Sequence, residues 1–250
     1  MPCKPELRVS ATPDALFHAA ATEFATVASQ AVKARGTFYV ALSGGSTPKA
    51  LYSVLARDFK ESIPWQKVFF FFGDERNVTP DDPDSNYRMA NEALLSKVPA
   101  QAENVFRIRG ELEAAEAARD YERIVRSIFN LQINQVPRFD LILLGLGPDG
   151  HTASLFPSTA ALNESRRLVV ENWVEKFKTH RITFTFPVLN HARVVIFLVS
   201  GGDKASMVRE VLETKNANLP SQRVCPESGK LLWLVDRAAA ALVSGEHAHP

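Results

Sequence analysis

Apolar positions along this chain follow two alternating patterns. Short unbroken runs occur at Phe38 to Leu42, Val68 to Phe72, Leu141 to Leu144, Val194 to Val199 and Leu231 to Val235. Between them lie longer segments whose apolar residues recur every three or four positions. The first pattern predicts strands buried on both faces, and the second predicts amphipathic helices. Phe17, Ala20, Phe24, Val27, Ala28 and Ala31 mark the first helix. It opens at Thr12-Pro13-Asp14, a capping hydroxyl followed by proline and an acid, and closes at Gly36. Helices are also expected over 49–56, 86–95 and 112–129, after Lys204, and in an alanine-rich terminal segment capped by Asp236. Val105 to Ile108 reads as a short strand, and Ile182 to Phe186 alternates apolar and threonine residues. Strands alternating with helices predict an α/β protein with a mainly parallel sheet and helices on both faces. No repeat, low-complexity linker or charge block interrupts residues 1–250, so the chain reads as a single α/β domain.

Composition narrows the partners. With 46% hydrophobic residues in 250, there is ample core. A formal net charge of +1 gives no electrostatic reason to bind nucleic acid or an anionic membrane. No apolar run approaches membrane-spanning length, and the N-terminus lacks a signal core. Cys3 and Cys225 share no metal-type spacing and suggest no disulfide framework. A cytoplasmic protein is expected, as a monomer or weak homo-oligomer. No cofactor and no metal are expected, because no histidine or cysteine stands at ligand spacing to His151. His18, His180, His191, His247 and His249 read as structural or surface residues.

Chemistry gathers where strands stop. Four strand ends carry Ser43-Gly44-Gly45-Ser46-Thr47, Asp74-Glu75-Arg76, Gly147-Pro148-Asp149-Gly150-His151 and Gly201-Gly202-Asp203-Lys204. In a parallel sheet these ends share one edge, where open α/β proteins place their chemistry. The first cluster joins glycine backbone, two hydroxyls and a helix start, an arrangement suited to a phosphate. A plain glycine-rich turn has the same sequence. It is neither a Walker loop nor a dinucleotide fingerprint. Lys204 and Arg181 add compact cations. His151 is the one histidine beside a glycine at a strand end, and imidazole changes charge close to neutrality, as a general base must. A capped strand-to-helix turn with a solvated histidine is the plainer alternative. Asp74, Glu75 and Asp149 are candidates to orient that base or bind sugar hydroxyls. A salt-linked loop is the alternative for Asp74 and Glu75. The Pro- and Asp-rich loop at 79–85 adjoins the second cluster and is a candidate cover for substrate.

Ser43-Gly-Gly-Ser-Thr-Pro48, Gly73-Asp-Glu-Arg76, Ser85-Asn86-Tyr87, Gly147 to Pro157, Arg181 to Asn190 and Gly202-Asp-Lys-Ala205 resemble, in order and spacing, the 6-phosphogluconolactonases. The resemblance implies a Rossmann-like fold shared with the sugar-phosphate isomerases and deaminases. It implies hydrolysis of 6-phospho-D-glucono-1,5-lactone to 6-phosphogluconate in the oxidative pentose phosphate pathway. It also implies that Ser43 to Thr47, Arg181 and Lys204 hold the phosphate, that Arg76 lies at the site and that His151 is the base. Gly147, Gly150 and Arg76 are candidate oxyanion donors. Glucosamine-6-phosphate deaminases carry a similar Asp-Gly-His, with a glutamate five residues later and a tyrosine after Asp-Glu. Here those positions are Phe156 and Arg76, which favours the lactonase over a deaminase-like isomerase. A non-catalytic sugar-phosphate-binding protein is a third reading, disfavoured by the intact His151. Lactonases often have prolines before the arginine; here Lys176-Phe-Lys-Thr-His180 stands instead, which makes Lys178 a further candidate for substrate contact.

Overall fold

The computed structural model describes residues 5–214 and 218–244; Cys3, His247 and His249 lie outside them. In chain order the first elements are β1 (Glu6–Ser10), α1 (Pro13–Arg35), β2 (Phe38–Leu42), α2 (Ser46–Asp58), β3 (Val68–Phe72), β4 (Asp74–Arg76), α3 (Asn86–Ala90) and α4 (Ala114–Ile128). There follow β5 (Leu141–Leu144), β6 (Val169–Val174), β7 (Thr179–Phe184), α5 (Phe186–His191), β8 (Val194–Val199), α6 (Ala205–Glu213) and β9 (Lys230–Asp236). Six strands form one sheet in the order β1-β9-β8-β5-β2-β3, and every neighbouring pair is parallel.

The phenylalanine run in β3 shows why the strands are apolar throughout. Phe70 points to one face, where Trp65 stacks on it and Phe24 of α1 meets Phe38 edge-on. Phe69 and Phe71 point to the other, against Phe106, Phe129 and Phe139. Alternate residues of a strand face opposite ways, so a sheet covered on both sides needs apolar residues at every position. The strand order reverses between β2 and β5: β3 continues outward from β2, and β8 and β9 continue outward from β5. In open α/β sheets, the crevice beyond the carboxyl ends at such a reversal is the ligand site.

A second sheet, antiparallel and ordered β4-β7-β6, was not expected from the apolar pattern. Gly73 joins the two sheets. Its N–H donates to Leu42 O at 2.9 Å and its carbonyl accepts from Phe184 N at 2.8 Å. α4 reaches across both sheets, with Tyr121 against Phe71 and stacked on Phe184.

Several local expectations are corrected. Val105 to Ile108 makes a single bridge to Phe70 rather than a strand. The alternating stretch 182–186 divides at Thr185, because Pro187 starts a helix after a β7 that begins earlier, at Thr179. Residues 86–95 run as an α-helix to Ala90 and then a π-turn to Leu95. The alanine-rich segment after β9 forms turns rather than a helix, with Ala239 buried in the core. Asp236 does accept from Ala239 N at 2.7 Å, but its carboxylate also accepts from Gly201 N and Ser200 Oγ, tying β9 to the loop after β8.

Candidate active site

The strand-end clusters do meet. A cleft of about 310 Å3 beyond β2 and β5 is lined by Ser43, Gly44, Gly45, Asp74, Arg76, Gly147, His151, Arg181 and Lys204. Asn86, Thr152, Ser154, Phe156 and Phe177, which the sequence did not single out as site residues, complete much of its wall. Ser46, Thr47, Glu75, Asp149, Gly150 and Lys178 lie off that wall. A larger hollow of about 610 Å3 beside Val211, Gln222 and Trp233 contains none of the motif residues.

After β2 the backbone must turn sharply into α2. Gly45 takes φ 104°, ψ 169°, a conformation that only glycine adopts readily. No side chain caps α2, so its first N–H groups are left for an external acceptor. The hydroxyl of the fully buried Tyr52 fixes the turn, accepting from Ser43 N at 2.9 Å and donating to Ser43 O at 2.8 Å. Tyr121 does the same for Phe72 at the end of β3. Gly44 has no room for a side chain: a Cβ there would lie 1.8 Å from Asn86 Oδ1. Ser46 and Thr47 form the first turn of α2, one step beyond the cleft-lining glycines.

Glu75 serves the scaffold. Only 2% exposed, its carboxylate accepts from the backbone N–H groups of Arg76, Asn86 and Tyr87 and from Ser85 Oγ. It thereby pins α3, and with it Asn86, against β4. Burial pushes this carboxyl above its ordinary value, the three amides pull it back in part, and Asp74 adds a further push. Asp74 faces the cleft and accepts from Ser154 Oγ at 2.7 Å. Arg76 donates to Asp84 O at 2.7 Å, which anchors the loop at 79–85 beside the site.

The turn after β5 is built around His151. Gly150 adopts φ +75°, folding the chain back so that Asp149 Oδ1 accepts from His151 N and lies 2.5 Å from His151 Nδ1. An ionised Asp149 accepts the Nδ1 hydrogen, which in a neutral imidazole leaves the lone pair on Nε2. Burial alone would raise the Asp149 carboxyl; the bond to His151 and its charge outweigh that and hold it below the ordinary range. Gly147 supplies the seat, since a Cβ there would lie 2.0 Å from Nδ1. On its other side the ring stacks on Phe156, with centroids 4.0 Å apart. The N–H groups of Gly147 and Gly150 bond inside the turn, to His151 O and Gly147 O, so they are committed to holding its shape.

The cations arrive from two elements. Arg181 lies on β7 as the register partner of Arg76 on β4. Its guanidinium makes no hydrogen bond or ion pair among the described residues, and burial first, then the charge of Arg76, pulls its pKa down. Lys204 precedes α6 and has one carboxylate neighbour among the described residues, the exposed Asp203 at 3.7 Å. Lys178 sits in a left-handed turn with its side chain exposed, and Phe177 takes the adjacent place on the cleft wall. Among the described residues no group of three or more His, Cys, Asp or Glu side chains is arranged to hold a metal ion, and no helix is long and apolar enough to cross a membrane.

Comparison with known proteins places this geometry among relatives. The chain is 43% identical to a 6-phosphogluconolactonase of Nostoc sp. over 86% of its own length and 88% of the relative's. It is 39% identical to one of Synechocystis sp. over 98% and 99%. Among solved structures, a 6-phosphogluconolactonase from Trypanosoma cruzi superposes with a TM-score of 0.85 at 31% identity, covering 98% of each chain. A monomeric glucosamine-6-phosphate deaminase shares the fold, with a TM-score of 0.77 at 24% identity over 95% of this chain and 99% of that one. The family model described as glucosamine-6-phosphate isomerases/6-phosphogluconolactonase matches residues 11–233, and the chain belongs to that family.

Proposed function

We propose that this single-domain α/β protein is a cytoplasmic 6-phosphogluconolactonase. It is then an ester hydrolase that opens 6-phospho-D-glucono-1,5-lactone to 6-phosphogluconate in the oxidative pentose phosphate pathway. The observation that carries this reading is His151, held at Nδ1 by Asp149 and sharing one cleft with Arg181 and Lys204. A lactone carbonyl is already electrophilic, so a base, a hold on the phosphate and a donor for the oxyanion suffice. The uncapped start of α2, Arg181 and Lys204 hold the phosphate. His151 Nε2 takes a proton from water as its oxygen bonds to C1. The resulting imidazolium, stabilised by Asp149, gives that proton to the ring oxygen as the C1–O bond breaks. The acid product ionises and releases one proton. Arg76 is the favoured oxyanion donor, because the turn's own N–H groups at 147 and 150 are already bonded. Phe156 stacked on His151 occupies the place where the deaminases carry glutamate, which supports hydrolysis over ring-opening deamination.

The test is proton release from freshly generated 6-phosphogluconolactone, beside ammonia release from glucosamine 6-phosphate. Lactone hydrolysis without ammonia is expected, and His151→Ala should lose about 10²–10⁴-fold in kcat while melting normally. Near-normal turnover by a folded His151→Ala removes that residue from the mechanism. Ammonia release by the parent protein overturns the lactonase reading.

A further inference from the structure

The tip joining β6 to β7 is a part of the cleft wall that the reaction above leaves without a task. Glu175–Phe177 form a single 3-10 turn, closed by Lys178 at φ +48°, a left-handed conformation that non-glycine residues seldom adopt. The turn presents Phe177 with 47% of its surface exposed, among the largest exposures of any aromatic residue described. Yet the ring is not idle. The Arg181 guanidinium carbon lies 5.5 Å from its centroid, within cation–π range. Its edge meets Phe156 at 5.9 Å and 76°, and Phe156 in turn carries the His151 ring.

Arg181 needs such a support. A half-buried guanidinium normally finds a carboxylate or carbonyl, and this one has neither among the described residues. Its cross-strand partner is another cation, Arg76, which repels it. An arginine stem has several rotatable bonds, so an unheld head would turn away toward water. The Phe177 ring is what faces it instead.

We propose that Phe177 is a positioning residue for anion recognition, its ring holding the Arg181 guanidinium in the cleft against repulsion from Arg76. This rests on the reading of Arg181 as a phosphate holder. An aromatic face suits the role because it attracts the cation without neutralising it, as a carboxylate would. The phosphate then meets a guanidinium already in place, with all its N–H donors available.

Calorimetric titration with 6-phosphogluconate tests it, using the parent, Phe177→Leu, Phe177→Tyr, Arg181→Ala and the Phe177→Leu/Arg181→Ala double variant. Leucine keeps apolar bulk but lacks the ring; tyrosine restores it. Phe177→Leu should bind about three- to thirtyfold more weakly, and Phe177→Tyr close to the parent. In kinetics the Phe177→Leu loss should fall mainly on KM. Adding Phe177→Leu to Arg181→Ala should cost nothing further, because the ring acts through the arginine. Parent-like binding by Phe177→Leu, beside a weakened Arg181→Ala, overturns the role of Phe177. A full extra loss in the double variant does so too, since the ring would then act on something else. Unweakened binding by Arg181→Ala instead removes Arg181 as a phosphate holder, and the proposal goes with it.

Discussion

Arg76 and Arg181 face each other as register partners across β4 and β7, two cations side by side with no carboxylate bonded to Arg181 among the described residues. Like charges directly opposite in an antiparallel pair destabilise the folded chain. Arg181→Met should therefore raise the melting temperature by about 1–3 °C while lowering kcat/KM for the phosphorylated lactone roughly ten- to a hundredfold. Added phosphate should raise the melting temperature of the parent and leave that of Arg181→Met nearly unmoved. Thermal scans with and without phosphate check both signs.

Gly147 tests the proposed role of His151 as the base. Alanine there places a Cβ where His151 Nδ1 now lies, so the ring must leave Asp149 or Phe156. Gly147→Ala should lose about a hundredfold or more in kcat, comparable to losing general-base assistance, in a protein that still folds. Stopped assays of kcat beside circular dichroism decide it; full activity would show that the base tolerates displacement.

The Asp149–His151 pair sets a pH dependence. His151 holds the Asp149 carboxyl below its ordinary range, so that carboxylate's contribution to stability is present above the unfolded aspartate value of about 3.9 and is lost as pH falls through the folded value. The melting-temperature advantage of the parent over Asp149→Asn should therefore shrink on acidification. Asp149→Asn should also lower kcat, because an amide holds the ring less firmly. Melting curves across pH check the first outcome, and an advantage that does not change with pH would mean that the Asp149 carboxylate is not what is lost.

Glu75 predicts a stability effect of the opposite kind. Its folded pKa is raised, so its contribution to stability is full below the unfolded glutamate value of about 4.3 and is lost as pH rises through the folded value. Glu75→Gln brings an amide donor into a nest of donors, and should cost about 1–3 kcal/mol, or roughly 3–10 °C in melting temperature. The parent's advantage should be greatest in acid and shrink toward neutrality. Melting curves across pH measure it.

How far the sequence reached depended on whether the signal was local. β2, β3, β5, β8 and β9 were visible because burial on both faces demands unbroken apolar runs. β4 is Asp-Glu-Arg, and only pairing with β7, a hundred or so residues away, makes it a strand. β1 and β6 mix charged and apolar residues because one is a sheet edge and the other belongs to the smaller sheet. At the site, glycine-rich strand ends announced themselves, since tight backbone turns leave a local mark. Asn86 stood in a segment that carried the family resemblance, but its place on the cleft wall follows from a carboxylate eleven residues earlier. Glu75 looked like a substrate ligand, but the same acid bonds equally well to a nest of backbone amides. Lys178 and its neighbour Phe177 could be ranked only once the turn conformation was known.

The bond from Asp236 to Gly201 also bears on the order in which the cleft can assemble. β9 is the partner of both β1 and β8, so β1 joins the sheet only by pairing with a strand more than two hundred residues further along. Until Asp236 is in place, the loop carrying Lys204 lacks this anchor, whatever the state of His151 and Arg181. Pairing across so much sequence is slow, and leaves β1 and the outer edge of β8 unpartnered in the meantime. The Lys204 side of the cleft is thus completed by the same strand that closes the longest-range pairing of the main sheet.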